Sequence, residues 1–584
     1  MSGSSWRFGL ALLVAWPVGL ASAATLHRPL PAESLERNGT PQTLQRHHGP
    51  HAPPPAALPQ KGPFKYAAAG LKRPYGGTPI DVLTHHYDLM RTGWNPTETD
   101  LTTSTVGSSN FGQLTTLNVD GNVFAQPLLV SNFTMPGGTT HNVLIIATGH
   151  NSVYAFDADT YATLWQVGLG QSQSSNDVGC GDVVPEYGIS STPVIVRNGS
   201  GSATIYLVAA TEPASYSFHT QLHALDLGTG HDVVAPVEIA PQAKLKGGGT
   251  VNFDPQNQWN RASVALANGN LYVGIGSHCD NNAGSISGWL LDYDPATLKL
   301  VHHFHTIETA TGYELASIWM TGFAPAFDSN GNVFVVTGNG AFGRGERDWG
   351  ESVLRLPSDL QKVQDYFTPA AYNELNNNDT DFGSGGVMLL PVVQGQTAPP
   401  MAVAMGKDAV LYLLNQADLG KEKRADKGAL QSQRLGGSGG GLWGGPAYYG
   451  GPNGGLVYAQ INGDVLRGFS VATGSQPALT QVATGTSSAG YGGSLPIVSS
   501  NGATSGTGVV WLIRRGATIQ LEAYDALALG APLFASNAGS WSNTSYGNSF
   551  LTAMEANGRV YVPAYLTVTV FGLGSVTRDA RGAN

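Results

Sequence analysis

"AQPLLVSNFTMPGGTTHNVLIIATGHNSVYAFDADTYATLW", from Ala125 to Trp165, carries the reading that decides the fold. Its apolar runs "PLLV", "VLIIA" and "VYAF" are short, rich in β-branched and aromatic residues, and bounded by Gly, Pro, Asn or Asp. Runs of that length and bounding are strands joined by tight turns. A single small sheet cannot bury both of its faces, so the chain must either repeat the unit or cover it with helices.

The unit repeats. "AQPLLV" (Ala125), "STPVIV" (Ser191), "RASVAL" (Arg261), "GFAPAF" (Gly322), "GGVMLL" (Gly385), "WGGPAYY" (Trp443), "YGGSLPI" (Tyr491) and "YGNSFLT" (Tyr546) share a small-residue start and a short apolar run. Anchored on Pro127, Pro193, Ser263, Pro325, Val387, Pro446, Ser494 and Ser549, they recur every 48 to 70 residues. Second and third strands follow each start, as in "NLYVGIG" then "GWLLDYDPAT", without an amphipathic helix between them. That pattern predicts an all-β chain folded as an eight-bladed β-propeller. Trp165, at the end of the first unit, is expected to dock between blades. The last unit stops after "TVTVFGL" (Thr567–Leu573), one strand short, and "FGQLTTLNV" (Phe111–Val119) has no blade of its own. The expectation is that this N-terminal strand joins the last blade and closes the ring, which removes two exposed edges. Residues 80–110, with "HHYDLMRTGWNPTETDL", are expected to wrap the outside or one face. His85 and His86 are adjacent, so in an extended chain they point apart, and packing is a better reading for them than a shared metal.

The ends and the composition bound the setting. Residues 1–23 read as a signal peptide with "ASA" at the cleavage site, 24–79 as a flexible Pro/His-rich leader, 80–575 as the propeller and 576–584 as a tail. The expected location is periplasmic or secreted, with no membrane span. A net charge of −10 and no basic face argue against nucleic acid as a partner. The two cysteines, Cys180 and Cys279, are expected to form one disulfide in an oxidising compartment, with separate buried thiols as the alternative.

Residues entering the innermost strand of each blade gather at one mouth of the ring. Here they are Glu186, Tyr187, Trp259, Asn260, Arg261, Trp319, Asp379, Asp381, Trp443, Tyr491 and Tyr546. Flat apolar surface with a few oriented polar groups is the composition of a small-ligand pocket. The same aromatics and their neighbouring glycines also suit a packed axis, where only small residues let strands approach. Glu186 and Asn260 are oxygen donors of the kind calcium accepts, and Asp379 with Asp381 in "NNNDTDFG" form a second oxygen-rich group. No nucleophile elbow, zinc helix, phosphate loop or dinucleotide fingerprint occurs.

The eight units, the blade end "AFDADTYATLW" and the "GTG" turn of "ALDLGTG" resemble the quinoprotein alcohol dehydrogenase-like superfamily. More narrowly, "HHYDLMRTGWNPTE", "VFAQPLLV", "CGDVVPEYGISSTPVI" and "GSHCD" look like a secreted bacterial group within it. The resemblance spans about residues 80–575. It implies a funnel site where calcium, held by Glu186 and Asn260, sits beside pyrroloquinoline quinone, with Trp443 stacked on the ring. An alcohol or sugar hydroxyl would be oxidised by hydride transfer, with Glu314 or Asp379 taking the proton. The pattern departs from the superfamily at "ELASIWMTG", where Met320 follows Trp319 in place of aspartate, and it lacks an adjacent-cysteine ring and a C-x-x-C-H haem site. A non-catalytic propeller that binds a small molecule, glycan or protein, or one that assembles the envelope, is therefore a competing expectation. Hydrolase or lyase chemistry on the same scaffold is a third.

Overall fold

The computed structural model describes residues 75–574, except 247, 283, 310–314, 344–347, 437–439 and 542–550. The expected signal peptide, most of the leader and the tail lie outside the described residues, as does the eighth anchor, Ser549.

Eight sheets of four or five strands, antiparallel apart from one added parallel strand in each of two of them, make up the blades, with inner and middle strands buried and outer strands partly exposed. Blade 1 runs Leu128–Thr134, Thr140–Ala147, Ser152–Asp157 and Thr163–Gly168. Its third strand is buried at every position, which is why it reads as a continuous apolar run rather than an alternating one. Blades 2 to 7 repeat the plan, with inner strands beginning at Val194, Ala265, Ala326, Val387, Ala447 and Ile497. Blade 8 is Met554–Ala556, Arg559–Pro563 and Tyr565–Leu573, and Phe111–Asn122 pairs antiparallel along the outer edge of the last of these. Trp165 docks between blades, donating its Nε1–H to Leu227 O at 2.9 Å. A Cβ on Gly230, which has φ +74°, would lie 2.7 Å from the same indole, so the "GTG" turn is a packing requirement.

The N-terminal segment does not wrap the outside. It follows the inner rim of the ring and pairs in turn with the inner strands of blades 1, 2 and 4 to 7. Val82 and Leu129 exchange hydrogen bonds at 2.8 and 3.0 Å, and Leu83 O accepts from Ile195 N. Leu89, Met90, Thr92 and Gly93 carbonyls then accept from Phe327, Leu389, Tyr448 and Val498 N–H, and Asn95 reaches Glu555 of blade 8. Backbone groups that an open channel would leave to water are thus satisfied by protein.

His85 and His86 depart from the expectation that they point apart. His86 adopts φ +56°, which turns the chain and stacks the two rings with centroids 4.5 Å apart and planes at 3°. Phe323 meets both edge-on, at 5.3 and 4.8 Å. Built Cβ atoms on Gly386 and Gly445 would each lie 2.5 Å from ring carbons of Phe323, so the axis is filled and two blades need glycine there. Among the described residues no helix is long and apolar enough to cross a membrane.

Candidate functional site at the funnel mouth

Above this plug, the turns between the second and third strands of successive blades meet at one mouth. Those of blades 3, 4 and 5 bring Asp280, Asn339 and Lys407 beside Asp379 and Asp381, which precede the inner strand of blade 5. The carboxylates of Asp280, Asp379 and Asp381 lie within 4.8 Å of one another. Lys407 bonds the Asp381 carboxylate and reaches Asp379 through its carbonyl (3.1 Å) and Oδ1 (3.3 Å). Asn339 Nδ2 donates to Asp379 Oδ1 at 2.8 Å and Asp280 Oδ2 at 3.1 Å, and its backbone N–H donates to Asp381 Oδ1 at 2.9 Å.

Electrostatics follow from this packing. Burial pushes Asp280 up to about 6, with the Asp381 charge adding to the shift. Asp379 is shifted in the same direction, by partial desolvation among its neighbours and by the Asp381 charge, although its carboxylate reaches solvent. Burial would also raise Asp381, but the Lys407 ammonium holds it below the usual carboxylate range. Burial opposes the charge on Lys407, yet Asp381 and Asp379 raise it well above its ordinary value, so it stays an ammonium. Trp319 and Trp443 present ring faces to it at 5.6 and 6.0 Å.

Cys180 and Cys279 are joined by a disulfide that ties the approach to blade 2 to the blade 3 turn. Under it, Tyr187 packs edge-on against Trp259 (4.9 Å) and His278 (4.3 Å), and its hydroxyl donates to Cys180 O at 3.2 Å. Burial pushes His278 down to about 3, so the imidazole is neutral. Arg261 lies over Trp259 at 5.1 Å and over Phe124 at 5.6 Å; burial pushes it down to about 9, which leaves it charged at neutral pH.

Beside the ammonium, a cleft of about 520 Å³ opens along blade 5. Trp443 and Tyr491, with ring centroids 5.0 Å apart, form one wall, and Tyr491 is 47% exposed. Lys407 and Arg434 are its cations, against four acids: Glu374, Asp379, Asp408 and Asp426. Asp408 is buried, which pushes it up to about 6, and it accepts from Tyr412 Oη–H at 3.1 Å and Val410 N–H at 3.2 Å.

The structure distributes the sequence-predicted residues in three groups. Trp443, Tyr491 and Asp379 line the cleft, with Trp319 and Asp381 around Lys407 at its edge. Tyr187, Trp259 and Arg261 are buried beneath, where they pack rather than face a ligand space. Glu186 and Asn260 are the third group and do not come together. Adjacent residues of a strand point to opposite faces, so with Tyr187 turned inward Glu186 turns away. Its carboxylate accepts from Ser172 Oγ and meets His150 Nδ1 at 2.9 Å. Asn260 Oδ1 accepts from Ser191 Oγ at 2.5 Å, and its amide hydrogens go to Ala262 O and Gly274 O. A calcium ion shared by these two residues does not fit that arrangement. Glu314 and Tyr546 lie outside the described residues.

Sequence reasoning missed Lys407, Asp280, Asn339, Asp408 and Arg434. A signal was present for all but Arg434. Aligning the repeats on their second strands places "GHN", "SHCD", "TGN", "GKD" and "RRG" at equivalent turns. Those turns share one mouth, as the inner-strand entries do.

Comparison with solved structures agrees with the architecture. The quinohemoprotein alcohol dehydrogenase of Comamonas testosteroni matches with TM-score 0.56 at 15% identity, over 86% of this chain and 82% of that one. That of Pseudomonas putida HK5, ADHIIG, matches with TM-score 0.53 at 13% identity, over 86% and 82%. A europium-containing methanol dehydrogenase matches with TM-score 0.52 at 14% identity, over 83% and 89%. No family model matches the chain, and no curated protein is significantly similar to it. At these identities the likeness is one of fold. The fold of this chain is an eight-bladed β-propeller, the architecture it shares with these three dehydrogenases.

Proposed function

We propose that this is a secreted or periplasmic ligand-binding propeller whose funnel-mouth cleft takes a neutral, hydroxyl-rich ring, a saccharide. The observation that carries the reading is the lining: two adjoining aromatic rings beside four acids and two cations. The apolar C–H face of a sugar ring matches Trp443 and Tyr491, and carboxylates accept hydroxyl protons as charge-assisted hydrogen bonds. A volume of about 520 Å³ is within the range of small-ligand sites. The net acidic lining opposes a polycarboxylate, and Lys407, already lying over the Trp443 face, opposes a second cation there.

A second reading, oxidation of an alcohol or sugar hydroxyl by a calcium-bound quinone, draws on the shared fold and on one local feature. Asp379 is a carboxylate with a 75% exposed side chain at the edge of the cleft, beside the Asp381 carboxylate. Such a group is suited to accepting a hydroxyl proton. Against it stand the separation of Glu186 from Asn260 and the acidity of the cleft, so no step through the quinone is derived.

Calorimetric titration of the purified protein separates the two. Neutral mono- and oligosaccharides are expected to include a saturable ligand, weakened at least about tenfold in W443A, as for loss of one aromatic hot spot. Saturable binding of pyrroloquinoline quinone with calcium, together with dye reduction and no saccharide binding, would replace the first reading by the second.

A further inference from the structure

The three carboxylates at the funnel mouth invite a reading as part of a divalent-cation shell, since their oxygens lie within 4.8 Å of one another and would supply some of the roughly six to eight oxygens that calcium takes. Their surroundings argue otherwise. A metal shell needs oxygen lone pairs directed inward. Here the inward positions hold N–H donors. The Lys407 ammonium directs its three hydrogens to the Asp381 carboxylate, the Asp379 carboxylate and the Asp379 carbonyl. Asn339 turns both hydrogens of its amide to Asp280 and Asp379, leaving its own Oδ1, buried, without a hydrogen-bond partner.

We propose that Lys407 is a tethered cation in the place of a metal ion: it neutralises and orients Asp379 and Asp381, and the funnel mouth works without a divalent metal. Lys407 is thus a positioning residue. Asp381 is buried and fixed by Lys407 and the Asn339 backbone, while Asp379 is held at the cleft wall with its exposed carboxylate available to a ligand hydroxyl. Trp319 and Trp443 shelter the ammonium on its ring-facing sides. A chain-borne cation costs no binding equilibrium, so the arrangement persists at any external metal concentration. The inference is independent of which ligand the cleft takes.

The arrangement predicts a gain of function on removing the lysine. In K407Q or K407A the ammonium is absent, Asn339 can turn its amide so that Oδ1 faces the carboxylates, and a shell of hard oxygen donors results. Terbium is the probe, because a bound ion would lie close enough to Trp319 and Trp443 for sensitised emission. Wild-type protein is expected to give no saturable, calcium-competed terbium emission. K407Q or K407A should gain it, and D381N in the same background should lose it. Saturable emission from wild type that calcium displaces and D381N abolishes would overturn the proposal. So would a folded lysine variant, checked by circular dichroism and melting, that binds no terbium. Should neither variant fold, the wild-type titration decides by itself. Saccharide titration of the same samples keeps this test apart from that of the ligand.

Discussion

Gly386→Ala is the sharpest probe of the filled axis. A methyl group there would lie 2.5 Å from Phe323 Cγ, whereas carbon atoms in contact prefer about 3.5–4.0 Å. The ring cannot yield, because Gly445 closes its other side and the stacked His85 and His86 rings close a third. Overpacking of this kind costs about 3 kcal/mol, the upper end of the usual range. With an unfolding entropy of about 2.1 cal/mol/K per residue and roughly 500 folded residues, the melting temperature should fall by about 3 °C. Phe323→Ala alone should cost about 3–5 kcal/mol through the cavity it leaves. In the double variant the new methyl meets no ring, so its loss should match that of Phe323→Ala, a coupling of about 3 kcal/mol. Calorimetric melting of the four proteins measures this. A wild-type melting temperature for G386A, or single losses that add to within about 0.5 kcal/mol, would refute the plug.

Other expectations follow from the same geometry. Replacing Cys180 and Cys279 by serine opens a loop with a sequence separation of 99, and should cost about 2–4 kcal/mol, read as a melting temperature lower by about 2–4 °C. Asp280 binds its proton more tightly folded than unfolded, since burial lifts it from 3.8 to about 6. Its contribution therefore favours the fold at acid pH and is lost as pH rises through that window; D280N should reduce the decline in melting temperature between pH 4 and 7 by roughly 2 °C. An unchanged pH profile in D280N would remove Asp280 from the account.

The fold was legible because a propeller writes itself as a period. Pro127, Pro193, Pro325 and Pro446 each stand immediately before an inner strand, and the blade-end Trp165 docks between blades as expected, there meeting the glycine of the "GTG" turn. The path of Val82–Asn95 was not legible. Its role rests on backbone pairing with distant inner strands and on the positive φ of His86, neither of which leaves a side-chain pattern. The candidate site was half legible. Inner-strand entries pointed to Trp443, Tyr491, Asp379 and Asp381, but the facing of Glu186 depended on whether it or Tyr187 turned inward. Charge partners such as Lys407 come from a different turn of the blade and show only when repeats are aligned at a second position.

The most direct test of the central claim is saturation-transfer difference NMR on wild type and W443A with a mixture of neutral methyl glycosides of glucose, galactose, mannose and N-acetylglucosamine. The account predicts transfer to the ring C–H protons of at least one glycoside in wild type, lost in W443A. Transfer to none of them, or transfer that persists unchanged in W443A, would contradict it.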